Sequence, residues 1–256
     1  MGLTRWRRAL DLDQSLLRLK RACFVCLDRL GVHRLMFADR IDAGRRLAAK
    51  LKDFKDAAPV VLALPRGGVP VGFEIASAIA APLDVILVRK IGAPFQQELA
   101  LGAIVGNGAI ERVMDSALIS ELDVSQDYLE KEIAQQSAEI HRRRKLYYGA
   151  RQPADIHDKT AIVVDDGIAT GYTMRAAIRA TRQREPRRIV MAVPVAPPQT
   201  IEALRQEVDE IVCLAMPEDF WAIGAYYSDF RQIEDEEVID LLARAARAVG
   251  APGVVT

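Results

Sequence analysis

Two adjacent carboxylates, followed by a loop of small residues and hydroxyls, carry the clearest chemistry in this chain. They lie in the run Ala161-Ile162-Val163-Val164-Asp165-Asp166-Gly167-Ile168-Ala169-Thr170-Gly171-Tyr172-Thr173. The apolar residues read as a buried strand, the acids end it, and a helix starts near Tyr172. Such a loop aims successive backbone N–H groups and the Thr170 and Thr173 hydroxyls at an anion, and the helix N-terminus adds partial positive charge. Asp165 and Asp166 can accept hydrogen bonds from two neighbouring hydroxyls, such as those at the 2′ and 3′ positions of a ribose. Together these parts fit a ribose 5-phosphate better than a nucleoside triphosphate, whose charge the acids would repel. A helix cap alone needs one acid, not two. The magnesium-binding strand of a phosphate-loop ATPase needs a G-x-x-x-x-G-K-[ST] partner, which the sequence does not contain. It also has no G-x-G-x-x-G run to support a dinucleotide site.

A second candidate follows the apolar run Val60–Leu64. Pro65-Arg66-Gly67-Gly68 lets bare backbone approach an anion, and Arg66 adds charge or a bidentate grip. Both loops follow strands. In an open parallel sheet they fall at strand carboxyl ends on one edge, where ligands of such sheets bind.

The segment 161–173 resembles the motif with which type I phosphoribosyltransferases bind 5-phosphoribosyl 1-diphosphate (PRPP), and Val60–Pro70 resembles the segment that holds their pyrophosphate loop. The resemblance spans about residues 36–245. It implies an α/β fold: a Rossmann-like parallel sheet with helices on both faces, a flexible loop hairpin and a small C-terminal hood. The implied activity is transfer of the ribose 5-phosphate of PRPP to a nitrogenous base with release of pyrophosphate. The alternative is a non-catalytic regulator of the same fold that binds PRPP or a nucleotide. Mg²⁺ is the implied cofactor, held mainly through PRPP and water with no direct protein ligand, and a homodimer is expected.

Carried onto this sequence, the PRPP-binding residues are Pro65, Arg66, Gly67, Gly68, Arg89, Lys90, Asp165, Asp166, Gly167, Ile168, Ala169, Thr170, Gly171 and Thr173. Of these, Asp165, Asp166, Arg66 and Lys90 are assigned to catalysis. A cis or strained non-proline peptide is expected at the Arg66–Gly67 link. Residues 91–99, with Glu98, show no helical or strand period. They read as a mobile lid that would shield a sugar cation from water, together with the Asn107-Gly108 hairpin. Arg142-Arg143-Arg144-Lys145 reads as a solvated helix end or a pyrophosphate contact. The hood candidate is Met216–Tyr227, in which Phe220, Trp221 or Tyr227 would stack on the base. This segment does not spell the hood of the hypoxanthine-guanine, adenine, uracil or orotate branches.

The elements that must position these residues alternate along the chain. Helices are expected over 41–54, 69–80, 116–146 (broken near Asp123), 172–184, 200–208 and 236–249. Strands are expected at 60–64, 83–88, 161–164, 189–193 and 210–214, with a hairpin of 101–105 and 109–113. Residues 1–35 stand apart as a helical, basic N-terminal extension, so the domain is assigned to 36–256, with Met36 as a candidate natural start.

Composition excludes several classes. The chain has 35 Lys and Arg against 35 Asp and Glu, so no global basic field favours nucleic acid. No apolar run is long enough to span a membrane and no secretory signal is evident, so the cytoplasm is the expected compartment. Cys23 and Cys26 form a lone C-x-x-C without a visible fourth ligand, and read as packing residues rather than a zinc site.

Overall fold

The computed structural model describes residues 37–106, 110–149 and 151–248. The N-terminal extension, with Cys23 and Cys26, lies outside the described residues, as do the tip of the Asn107-Gly108 hairpin and the Glu98 side chain.

Five apolar runs form one parallel sheet: β1 (Pro59–Ala63), β2 (Leu83–Val85), β6 (Thr160–Val164), β7 (Arg188–Val195) and β8 (Glu210–Ala215), in the order β2-β1-β6-β7-β8. Strands buried on both faces read as continuous hydrophobic runs, as these do. Alternate residues divide between two cores. Val61, Ala63, Ile162 and Val164 pack beneath α2 (Gly68–Ile79) and α7 (Asp235–Ala248). Val60, Leu62, Ala161 and Val163 pack on the other side, beneath α5 (Tyr172–Gln183) and α6 (Pro198–Leu204). Helix α1 (Arg40–Lys50) lies against α2. The order reverses between β1 and β6, and the two loops expected to bind ligand leave the sheet at that point. Leu64 N donates to Val164 O at 2.9 Å across it.

The apolar run 83–88 is not one strand. β2 ends at Val85, and the chain changes sheets over Ile86 and Leu87. Ile86 N still donates to Ala63 O, whereas Leu87 O accepts from Gly106 N, both at 2.9 Å. The second sheet is antiparallel, in the order β3 (Val88–Ala93), β4 (Gln96–Gly106), β5 (Ile110–Met114). It packs between α5 and the long helix α4 (Gln126–Tyr148).

Residues 91–99 therefore belong to a paired hairpin and are not an irregular lid. Register shifts at Ile91/Gly92 and Gly92/Ala93 blur the alternation that marks a strand. Tyr128 of α4 also donates to Gly92 O at 3.0 Å. The expected break in the long helix is present. Asp123, at φ 47°, separates α3 (Ser116–Glu121) from α4, whose N-cap Ser125 accepts from Tyr128 N. Among the described residues, no helix is long and apolar enough to cross a membrane.

Candidate functional site

The two loops meet because their residues are small. An added Cβ on Gly67 would stand 2.0 Å from Asp166 Oδ2. One on Gly68 would stand 2.8 Å from Val164 O and 3.0 Å from Asp165 Cα. Only a residue without a side chain allows the start of α2 to sit on the acid pair. The loop also contains a cis peptide, at Pro65–Arg66 rather than at the expected Arg66–Gly67 link.

The second loop turns at Gly171, whose φ of 81° suits glycine, and α5 begins at the next residue. Ala169 and Thr170 are exposed at its crest, and Thr173 is half-buried in the first turn. Thr200 Oγ1 donates to Ala169 O at 2.7 Å and braces the loop from α6. Ile168, expected among the PRPP-binding residues, turns inward. Its side chain is in the core and its N–H donates to Val195 O at 2.9 Å, so it anchors the loop.

The acids are not equivalent. Asp166 is 8% exposed and its Oδ2 accepts from Arg40 Nε at 2.7 Å. Arg40 is itself buried, donates from Nη1 to Arg231 O at 2.8 Å, and lies 3.9 Å from the centre of the Phe230 ring. Tyr227 Oη donates to Asp166 O at 2.6 Å. Asp165 is the more open of the two, and its Oδ1 accepts from Asp166 N at 2.8 Å. Burial, and then the charge of Asp166, push the Asp165 carboxyl well above the usual carboxylate range. Burial also raises Asp166, against the pull of Arg40. Asp166 is thus the ion-pair partner of Arg40, and Asp165, though itself partly buried, is the more exposed of the two.

The remaining assignments divide. Arg66 stays at the site, with Nη1 at 3.4 Å from Glu234 Oε2. Arg89 and Lys90 do not follow β2 as loop residues. They lie within β3, opposite Ile104 and Ala103, and Arg89 Nε donates to Gln136 Oε1 on α4 at 2.7 Å. In the hood, Tyr227 is not available for stacking. It is 5% exposed and packed between Phe37 and Phe230, with ring centres 5.3 and 5.0 Å away. Phe220 stacks on Tyr226 at 5.6 Å, whereas Trp221 is 89% exposed. The hood also touches the motif loop directly: an added Cβ on Gly167 would meet Ile223 Cγ2 at 2.5 Å.

Sequence reasoning missed Arg40, the Tyr227 tie and the two acids beside Arg66. The signal for Arg40 lay in Phe37-Ala38-Asp39-Arg40, at the start of the family-like stretch. For a metal, Asp165 is the carboxylate this site offers. Among the described residues no cluster of three metal-ligating side chains exists.

The family model described as a phosphoribosyl transferase domain matches residues 36–231. The chain belongs to the phosphoribosyl transferase domain family. It is 41% identical over 220 residues to a provisionally named phosphoribosyl transferase of Mycobacterium tuberculosis, covering 86% of this chain and 49% of that protein. The chain thus spans about half the length of the curated relatives that match most of it. A uracil phosphoribosyltransferase of Lactobacillus gasseri is 33% identical over 72 residues, 28% of this chain and 34% of that protein. A crystal structure of the protein TT1426 from Thermus thermophilus is 44% identical, covers 81% of this chain and 97% of that chain, and superimposes with a TM-score of 0.71. Membership of the phosphoribosyl transferase family agrees with the meeting of Pro65–Gly68 and Asp165–Thr173 at one sheet edge.

Proposed function

We propose that the protein is a Mg²⁺-dependent phosphoribosyltransferase that transfers the ribose 5-phosphate of PRPP to a nucleobase-like nitrogen. The observation that carries this reading is the packing of Gly67 and Gly68 against Asp166 and Asp165 where the strand order reverses. The loop 169–173 and the start of α5 anchor the 5-phosphate with backbone N–H groups and the Thr170 and Thr173 hydroxyls. Asp165 accepts from the ribose hydroxyls and faces the positive charge that grows on the ring as the bond at C1 breaks. Asp166, tied to Arg40 and Tyr227, holds the loop that presents Asp165. Arg66 and the N–H of Gly67 face the departing pyrophosphate, while the Gly68 N–H closes the loop by donating to Leu64 O at 3.0 Å. Mg²⁺ held mainly through PRPP and water would add charge neutralisation on the phosphates. Proton transfer from a protein base is not part of this scheme. Positioning and electrostatics supply the catalysis.

A homodimer and a cytoplasmic setting go with this reading as proposals. So does the assignment of residues 1–35 as an extension outside the catalytic domain. Lys90 keeps a place only as a residue of the hairpin beside the site.

One observation favours the second reading, a PRPP- or nucleotide-binding regulator: residues 91–93 and 96 pair within a hairpin where a water-excluding lid was expected. Pyrophosphate release from Mg²⁺-PRPP, measured with a panel of nucleobases and with none, separates the two. Base-dependent release is expected. Tight PRPP binding without release under any base would establish the regulator.

A further inference from the structure

One guanidinium joins the loop after β1 to the C-terminal helix. Arg66 Nη1 lies 3.4 Å from Glu234 Oε2 and 3.9 Å from Asp235 Oδ1, just before and at the start of α7. Tight charge-assisted bonds run about 2.7–2.9 Å, so Arg66 is loosely held. Asp235 is held more firmly from its other side. The Tyr147 hydroxyl donates to its Oδ1, and Arg142 Nη2 lies 3.5 Å from its Oδ2. Partial burial raises this carboxyl, but Tyr147, Arg142 and Arg66 outweigh it, and it sits below the usual range. One ionised carboxylate thus stands between two guanidiniums, Arg66 from the Pro65–Gly68 loop and Arg142 from α4.

We propose that Arg66 and Arg142 together bind the pyrophosphate group of the ligand, and that Glu234 and Asp235 compete with that group for Arg66. This rests on the PRPP reading above. A pyrophosphate carries more charge than either carboxylate and offers several oxygens to a planar guanidinium. It can displace partners held at 3.4 and 3.9 Å. An anion that replaces Asp235 against Arg66 then meets Arg142, whose side chain is 53% exposed and is held chiefly by Glu139, with Nε at 2.8 Å from Oε2 and Nη2 at 3.1 Å from Oε1. Arg142 is thereby singled out from the basic run 142–145. The two acids set the affinity for the leaving group and hence ease its release.

The test is calorimetry on the full chain with Mg²⁺ and inorganic pyrophosphate, and separately with Mg²⁺-PRPP. Asp235→Asn and Glu234→Gln are each expected to tighten pyrophosphate binding about two- to fivefold, the scale of a partly exposed ion pair. Arg142→Gln is expected to weaken it by a similar factor. Glu236→Gln, in the same first turn but not a partner of Arg66, is expected to change nothing. If Asp235→Asn and Glu234→Gln weaken binding, the acids orient Arg66 and the proposal is wrong. Equal tightening by Glu236→Gln would reduce the effect to bulk charge and also overturn it. If no form binds pyrophosphate, the proposal fails. Whether Mg²⁺-PRPP still binds then decides the broader reading separately.

Discussion

The edge where β1 and β6 end and the hood over it are built by opposite means. The edge (residues 64–68 and 164–173) works through absence of side chains. Gly67 and Gly68 let one loop touch the acids of the other, and Gly171 turns the second loop into α5. The hood (216–227) works through large side chains, and it divides them. Tyr227 is drawn inside to hold Asp166, Ile223 covers Gly167, and Trp221 is left in solvent. Under the proposed function, the edge made of close-packed backbone would grip the sugar phosphate, and the exposed Trp221 on the braced hood would meet the acceptor. Recognition of PRPP and choice of acceptor should then be separable by mutation.

Removing the buried cation beneath the edge should do the most damage. Arg40→Met leaves Asp166 buried without its cation, and should cost about 3–5 kcal/mol in urea unfolding. Adding Asp166→Asn should recover part of that loss. If the single variant is as stable as wild type, the edge does not depend on this buried pair for its hold on Asp166.

Asp165→Asn separates function from stability. Loss of a charge-assisted bond should weaken Mg²⁺-PRPP by about 1.5–3 kcal/mol in calorimetry. The fold should nevertheless gain. The Asp165 carboxyl titrates near 3.8 when unexceptional and well above that value in the folded protein. Between those values the folded state binds more protons, so wild-type stability falls as pH rises through the window. The variant lacks this cost. It should be the more stable at neutral pH, with the advantage shrinking as pH falls through the folded value. An advantage that grows on acidification would contradict the assigned shift.

Gly67→Ala probes the closeness of the two loops. A methyl 2.0 Å from Asp166 Oδ2 must push a loop away. The expected cost is about 1–3 kcal/mol of stability, with PRPP binding lost. Retained binding would show that the loops need not touch.

The mildest change belongs to the hood. Trp221→Ala should leave stability within about 0.5 kcal/mol, because the side chain is 89% exposed. PRPP affinity should also be unchanged, while acceptor KM rises by the equivalent of about 0.5–1.5 kcal/mol of stacking. A rise in the PRPP constant instead would end the division between edge and hood.

The parallel sheet, the order of its elements and the two loops at its edge are legible in the amino-acid sequence. Each of these is local: a continuous apolar run, a Gly-Gly turn, and a pair of acids before a Gly/Thr loop are visible within a few residues. The division of labour inside the site emerges only once the chain is packed. Asp166 and Asp165 are neighbours in sequence, yet Arg40, 126 positions earlier, pairs with one and not with the other. Tyr227 looks like a stacking aromatic until Phe37 and Phe230 enclose it, and Arg89 looks like a loop cation until β3 carries it to Gln136. A residue's partners across the chain set its burial and charge state. Those partners are assembled by packing, which a local pattern does not record.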